Sequence, residues 1–147
     1  MKIMYWLYEG CVHLLALLFL FTATNKILDW NHFVRQMNNQ VFSKSLSAVL
    51  VVAVPFVEFL AVFLLMKVKT RMLGLRLSLV LMTAFTMYIG LIILQIFPRV
   101  PCSCAGVFNQ MSWHQHFLFN IAFTALAAAG IFIKVKLERA STEVLTL

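Results

Sequence analysis

Two cysteines separated by a single residue, Cys102 and Cys104, are the side chains in this sequence best suited to chemistry. The α-carbons of residues i and i+2 fall roughly within the ~4.4–6.8 Å that a disulfide tolerates. A bridge in so small a loop is strained, so it is easily reduced and adds little stability. The spacing therefore predicts thiol–disulfide exchange. The alternatives are a pair of interfacial thiols and an inert bridge that rigidifies a turn.

Two histidines, His114 and His116, follow the cysteines closely. Together with Cys102 and Cys104 they offer two sulfur and two imidazole ligands, a set that suits Zn²⁺ or Cu⁺. Structural zinc sites more often have two to four residues between their cysteines, however. The histidines are more typical of an interfacial helix start, and the four-residue metal site remains an alternative.

The composition indicates the class of fold that must position these residues. Of 147 residues, 63% are hydrophobic and only 12% are charged, which is typical of an integral membrane protein. Four apolar segments, about 5–28, 46–66, 72–97 and 117–133, are long enough to cross a hydrocarbon core of ~30 Å. We predict one all-α transmembrane domain, an antiparallel four-helix bundle with outer loops 29–45 and 98–116. A polar, disordered C-terminal tail is expected over 138–147.

The basic residues are divided unequally between the two sides of this bundle. One side holds eight and the other four: Lys2, Lys67, Lys69, Arg71, Arg76, Lys134, Lys136 and Arg139, against Lys26, Arg35, Lys44 and Arg99. Because cytoplasmic loops carry the excess of basic residues, both termini are expected in the cytoplasm and loop 98–116 in an oxidising outer compartment. The net charge of +7 is spread over loop ends, which indicates contacts with membrane lipids and no nucleic-acid partner.

Ionisable residues at membrane depth are a second kind of functional candidate. Glu58 is expected ~12 Å inside the membrane, at 1.5 Å per residue from the end of its helix. We predict an ion pair between Glu58 and Arg76 of the next helix. The alternative is that Glu58 relays a proton or faces a quinone or substrate cavity. Lys26, at the outer end of the first helix, either snorkels to the headgroups or favours the thiolate form of a nearby cysteine.

The outer loop 29–45 has apolar residues at roughly helical spacing, including Trp30, Phe33 and Met37. We predict an amphipathic segment at the membrane surface that leaves its polar residues exposed: Arg35, Gln36, Asn39 and Gln40. Capping of the bundle is the favoured role, and docking of a partner domain is the alternative.

Several short motifs occur in the order found in one membrane-protein family: Thr24-Asn25-Lys26-Ile27-Leu28-Asp29, Phe33, Pro55 with Glu58, Cys102-Ser103-Cys104-Ala105-Gly106, Trp113 and Asn120. The chain resembles the MauE-type proteins of methylamine utilisation, relatives of the DoxX-like four-helix proteins. The usual outer motif of that family is Cys-Gly-Cys-Phe-Gly, so Ser103 and Ala105 depart from it.

The resemblance implies an accessory protein of the bacterial inner membrane, with the Cys-x-Cys loop in the periplasm. Such proteins are implicated in the thiol–disulfide maturation of extracytoplasmic redox proteins, alongside a periplasmic thioredoxin-like protein and its client. The resemblance does not imply that methylamine itself is oxidised.

A thiol–disulfide oxidoreductase component of this kind needs an electron acceptor, for which a quinone in the bilayer is the obvious choice. Proteins that resemble the disulfide-bond B proteins use two cysteine pairs, whereas this chain has one pair and a lone Cys11 on the opposite side. Either a partner supplies the missing relay, or electrons pass directly from the loop, or the protein is a non-catalytic scaffold. A transport or quinone-binding subunit centred on Glu58, with Lys26 as a further ligand contact, is also open.

Overall fold

The computed structural model describes residues 2–40, 43–96 and 112–145, and these ranges contain five α-helices and no strand. The helices are α1 (Lys2–Leu28), α2 (Trp30–Asn38), α3 (Lys44–Met66), α4 (Arg71–Ile93) and α5 (Trp113–Leu145), with a 3₁₀ turn at Val68–Thr70. All except α2 are long and apolar enough to cross a membrane. The predicted all-α fold with four apolar spans is therefore confirmed.

The short connections determine which helices are neighbours. Asp29 alone separates α1 from α2, and its backbone N–H still donates to Asn25 O at 3.0 Å. At the other end of the molecule the 3₁₀ turn reverses the chain between α3 and α4. The Thr70 hydroxyl donates to Leu64 O at 3.1 Å and Arg71 Nε donates to Leu65 O at 3.2 Å. These bonds satisfy carbonyls that the end of α3 would otherwise leave without a donor.

The helices α4 and α5 pack against each other along a long contact. Thr86 hydrogen-bonds Thr124 at 3.1 Å, and a Cβ built at Gly130 would lie 3.0 Å from Leu75. Residues buried between the helices form the core: Tyr8, Val12, Leu15, Ala16, Phe19, Ala61, Leu65, Leu75, Met82 and Ala127. Large apolar side chains such as Val52, Phe56 and Val80 are more than 60% exposed on the outward faces, which suits a lipid environment.

The helix α5 differs from the sequence-based prediction at its C-terminal end. It continues to Leu145, whereas residues 138–147 were expected to form a polar, disordered tail. Lys134 and Glu138 form an i,i+4 ion pair at 3.4 Å along this extension. Once a packed apolar helix is formed, each added residue gains a hydrogen bond without a new nucleation cost, so the helix propagates into the polar segment.

Candidate functional site

A cavity of about 110 Å³ lies among all five helices, in the half of the bundle next to α2. Most of its wall is aliphatic and aromatic. Its lining residues are Leu18, Phe19, Thr22, Lys26, Phe33, Gln36, Met37, Gln40, Val54, Glu58, Met82, Phe85, Ile89, His116, Phe119 and Asn120. A mostly apolar pocket with a few converging polar groups is the usual form of a small-molecule site.

The charged groups in this cavity are Lys26 of α1 and Glu58 of α3. Lys26 Nζ donates to Glu58 Oε1 at 2.7 Å and to Oε2 at 2.9 Å, and the two residues are only 7% and 2% exposed. Two charges this deeply buried are tolerated because each neutralises the other and because the hydrogen bonds replace lost water. The two cofactor-binding candidates named from the sequence are therefore direct neighbours in the structure.

This ion pair corrects two expectations. Arg76 was predicted to be the partner of Glu58, but it is exposed on the surface of α4. Lys26 was expected to snorkel to the headgroups, but it turns inward to Glu58. The physical reason is that Glu58 lies on the face of α3 directed at α1. Sequence spacing gives the depth of a residue in the membrane but not the direction in which it points from its helix.

The short helix α2 covers one side of the cavity. Phe33, Gln36 and Met37 contribute to the lining, and the Phe33 ring centroid lies 5.9 Å from Lys26 Nζ. The predicted amphipathic helix is present, but Gln36, expected to be exposed, is buried and hydrogen-bonds the His32 imidazole at 2.6 Å. Gln36 follows Phe33 by three residues, and this i,i+3 spacing was the signal that both share a face.

Polar residues of α4 and α5 complete the wall. The Tyr88 hydroxyl donates to the side-chain oxygen of Gln40, which ties the end of α2 to α4. Asn120 Nδ2 donates to His116 O at 2.8 Å, and both residues are buried at the start of α5. One of these bonds therefore joins α2 to α4 beside the cavity, and the other lies within α5.

The two histidines considered as metal ligands point to different surroundings, because His114 is exposed and His116 is buried. Within the described ranges, no three His, Cys, Asp or Glu residues are grouped as a metal site would require. Cys102 and Cys104 lie outside the described residues. The four-residue metal site therefore stays a prediction.

The segment that carries Cys102 and Cys104 connects α4 to α5. It follows α4, which ends at Ile93, and precedes α5, which begins at Trp113. Ile89 and His116, each about one turn from those helix ends, line the cavity. The Cys-x-Cys segment is therefore joined to the bundle at the cavity's own end. Cys11, by contrast, is buried and lies 3.4 Å from a Cβ built at Gly130.

An apolar groove between α1 and α5 adjoins the cavity. It is lined by Leu14, Leu17, Leu18, Phe21, Phe119 and Phe123, has a volume of about 340 Å³, and shares Leu18 and Phe119 with the cavity. Phe119 and Phe123 pack against each other with ring centroids 4.6 Å apart. Nothing in the sequence signalled this groove, because its residues are ordinary members of two apolar spans.

Comparison with known proteins gives a family for this arrangement. No curated protein and no solved structure matches the chain. The family described as "Methylamine utilisation protein MauE" matches residues 4–133, which include most of each apolar span, the cavity residues and the Cys-x-Cys pair. The chain therefore belongs to the MauE family and is a multi-pass membrane protein.

Proposed function

We propose that this protein is an accessory component for thiol–disulfide maturation of extracytoplasmic proteins, located in the bacterial inner membrane. Both termini are cytoplasmic in this proposal, and Cys102 and Cys104 face the periplasm. The observation that carries it is the Cys-x-Cys pair in a MauE-family chain, on the segment between α4 and α5. The unequal division of basic residues supports the orientation.

The reaction follows the general course of thiol–disulfide exchange. A thiolate of the client, or of a thioredoxin-like partner, attacks one sulfur of the Cys102–Cys104 disulfide and forms a mixed disulfide. This first attack breaks the Cys102–Cys104 bond and releases one cysteine of the pair as a thiolate. The second client thiolate then attacks the client sulfur of the mixed disulfide, which releases the cysteine that was bound there. The client gains a disulfide, and Cys102 and Cys104 become a dithiol that carries the two electrons.

Thiol trapping in intact cells tests this proposal. A membrane-impermeant maleimide is applied before and after mild reduction to the parent chain and to Cys102→Ser and Cys104→Ser. We expect labelling only after reduction, and a mixed disulfide with another protein in one of the single variants. Cysteines that are reduced from the start, or that are inaccessible from outside, contradict the proposal.

The cavity favours a second candidate, a ligand-binding or transport subunit that acts through Glu58 without thiol chemistry. In that case Glu58→Gln abolishes client maturation while Cys102→Ser and Cys104→Ser leave it intact. A pure assembly scaffold tolerates both kinds of change. The maturation of client disulfides in these three variants therefore separates the candidates.

A further inference from the structure

We propose that the cavity and the adjoining groove form one binding site for an isoprenoid quinone, with the ring in the cavity and the tail in the groove. This inference rests on the proposed thiol–disulfide function, for which it names the electron acceptor. The binding site itself consists only of described residues.

The cavity suits the ring by its size and by its walls. Its volume of about 110 Å³ is of the same order as the ~150 Å³ engineered cavity that takes up benzene in a protein core. Phe19, Phe33 and Phe85 supply aromatic surface. The Lys26 ammonium has three donors, of which the Glu58 oxygens accept two, so the third is suited to a ring carbonyl.

The charges favour a neutral ligand over an anionic one. Lys26 and Glu58 cancel each other, and among the described residues no other Asp, Glu, Lys or Arg lines the cavity. A phosphate or carboxylate that approached Lys26 would bring negative charge next to the Glu58 carboxylate, which costs free energy in a site of low dielectric. A quinone carbonyl accepts a hydrogen bond from Lys26 without that repulsion. The headgroups of anionic phospholipids are disfavoured for the same reason.

The groove accounts for the tail. The described residues of its walls are all apolar, and Leu14, Leu17 and Phe21 are 50%, 62% and 48% exposed on the lipid-facing side of α1. Leu18 and Phe119 line both the cavity and the groove, so these two side chains lie at the boundary between the two spaces. A ligand with a polar ring and a long hydrocarbon chain that passes between these side chains occupies both spaces. A water-soluble substrate makes no use of the groove.

The redox step balances without a further reagent. The Cys102 and Cys104 thiols lose two electrons and two protons as the sulfur–sulfur bond forms. The quinone accepts two electrons and two protons and becomes a quinol, which returns to the bilayer along the groove. Lys26 positions the ring by its hydrogen bond, and Glu58 holds Lys26 in place.

Photoaffinity labelling tests the site directly. The full-length protein in phosphatidylcholine nanodiscs is irradiated with an azido-benzoquinone that carries a short isoprenoid tail, and labelled peptides are mapped by mass spectrometry. We expect labels on the segments of α1 and α5 that line the groove, and we expect excess unmodified quinone to compete. Labels spread evenly over the lipid-facing helix surfaces, or competition by phosphatidylglycerol instead, would overturn the proposal.

Matched variants localise the binding. Leu18→Trp fills the junction of cavity and groove and is expected to lower labelling about tenfold or more, equivalent to ~1.4 kcal/mol of binding. Val80→Trp adds a tryptophan on the lipid-facing surface of α4, where Val80 is 65% exposed, and is expected to leave labelling unchanged. The double variant Lys26→Met with Glu58→Met keeps a neutral core and is expected to lose labelling. Equal labelling of all three variants contradicts the site.

The cysteines separate this inference from the proposed function. The double variant Cys102→Ser with Cys104→Ser is expected to bind the photoreactive quinone as the parent does. Specific labelling in a protein whose thiols never form a disulfide supports the site and rejects the redox function. If thiol trapping succeeds but the photoreactive quinone gives no specific labelling, the redox function is supported and the quinone site is rejected.

Discussion

Among the described residues, the two halves of the bundle each contain an ion pair that joins α1 to a neighbouring helix, and the cavity described above lies beside one of these pairs. In the closed half, which contains residues Glu9, Leu65, Arg71, Gly74 and Gly130, Arg71 Nη1 donates to Glu9 Oε1 at 2.5 Å. Arg71 Nε also donates to Leu65 O. In the cavity half, Lys26 and Glu58 form a pair of similar geometry beside open space.

Packing around the two pairs explains the difference. The backbones of α3 and α4 approach closely at Gly74, where a Cβ would lie 2.8 Å from Leu65 N. Around Glu58 the described residues that line the cavity include phenylalanine and methionine side chains and no glycine. Both ion pairs join helices, so pairing alone does not distinguish a ligand site, and the space beside the pair decides whether it can meet a ligand.

The largest effect is expected from breaking the pair in the cavity half. Glu58→Ala leaves the Lys26 ammonium buried without its partner, so the free energy of unfolding in detergent should fall by about 3–5 kcal/mol. Lys26→Met combined with Glu58→Met should recover most of this loss, because two apolar side chains replace two charges. Thermal or denaturant unfolding of the single and double variants measures both. A double variant less stable than Glu58→Ala would contradict the assignment.

A smaller effect is expected from disturbing the close packing of the closed half. In Gly74→Ala the new Cβ meets backbone atoms of Leu65 and Leu64 at 2.8 and 3.0 Å. The helices must move apart, at a cost of about 1–3 kcal/mol in unfolding free energy. The folded fraction should still bind the photoreactive quinone. If Gly74→Ala loses quinone labelling while its stability is unchanged, the closed half also contributes to quinone binding, and the distinction between the two halves fails.

Removal of the charge in the closed half should cost less than removal of Glu58. Arg71→Gln loses charge-assisted bonds to Glu9 and Leu65, with an expected cost of about 1.5 kcal/mol. Glu9 retains His13 at 3.6 Å, and both members of the original pair are partly exposed. Client maturation per folded molecule should be unchanged. A stability loss as large as that of Glu58→Ala would remove the distinction between the two pairs.

The smallest effect is expected at Gly10. A Cβ built there meets no atom of the described residues within 4 Å, so Gly10→Ala should raise the unfolding free energy by about 0.5–1 kcal/mol through reduced backbone freedom of the unfolded chain. Gly10→Ala is thus a matched control for Gly74→Ala. If Gly10→Ala is destabilising, this face of α1 contacts another chain.

The sequence predicted the parts of this fold that depend on local pattern. Long apolar runs predicted four spans, helical spacing predicted α2, and ordered motifs predicted the MauE family. The partner of Glu58 could not be predicted in this way, because it depends on the rotation of α3 about its axis. The cavity and the groove depend on how five helices pack, and no local pattern encodes that. Gln36 was predicted to be exposed because it is polar, although its i,i+3 spacing from Phe33 indicates the buried face of α2.

The most direct measurement follows the oxidation state of Cys102 and Cys104 in proteoliposomes that lack quinone. The pair is reduced, oxygen is excluded, and a benzoquinone with an isoprenoid tail is then added to the parent chain and to Leu18→Trp. We predict that disulfide and quinol form together in the parent, and that much less of both products forms in Leu18→Trp. Thiols that stay reduced in the parent, or that oxidise equally in both proteins, would contradict a link between the cavity and thiol chemistry.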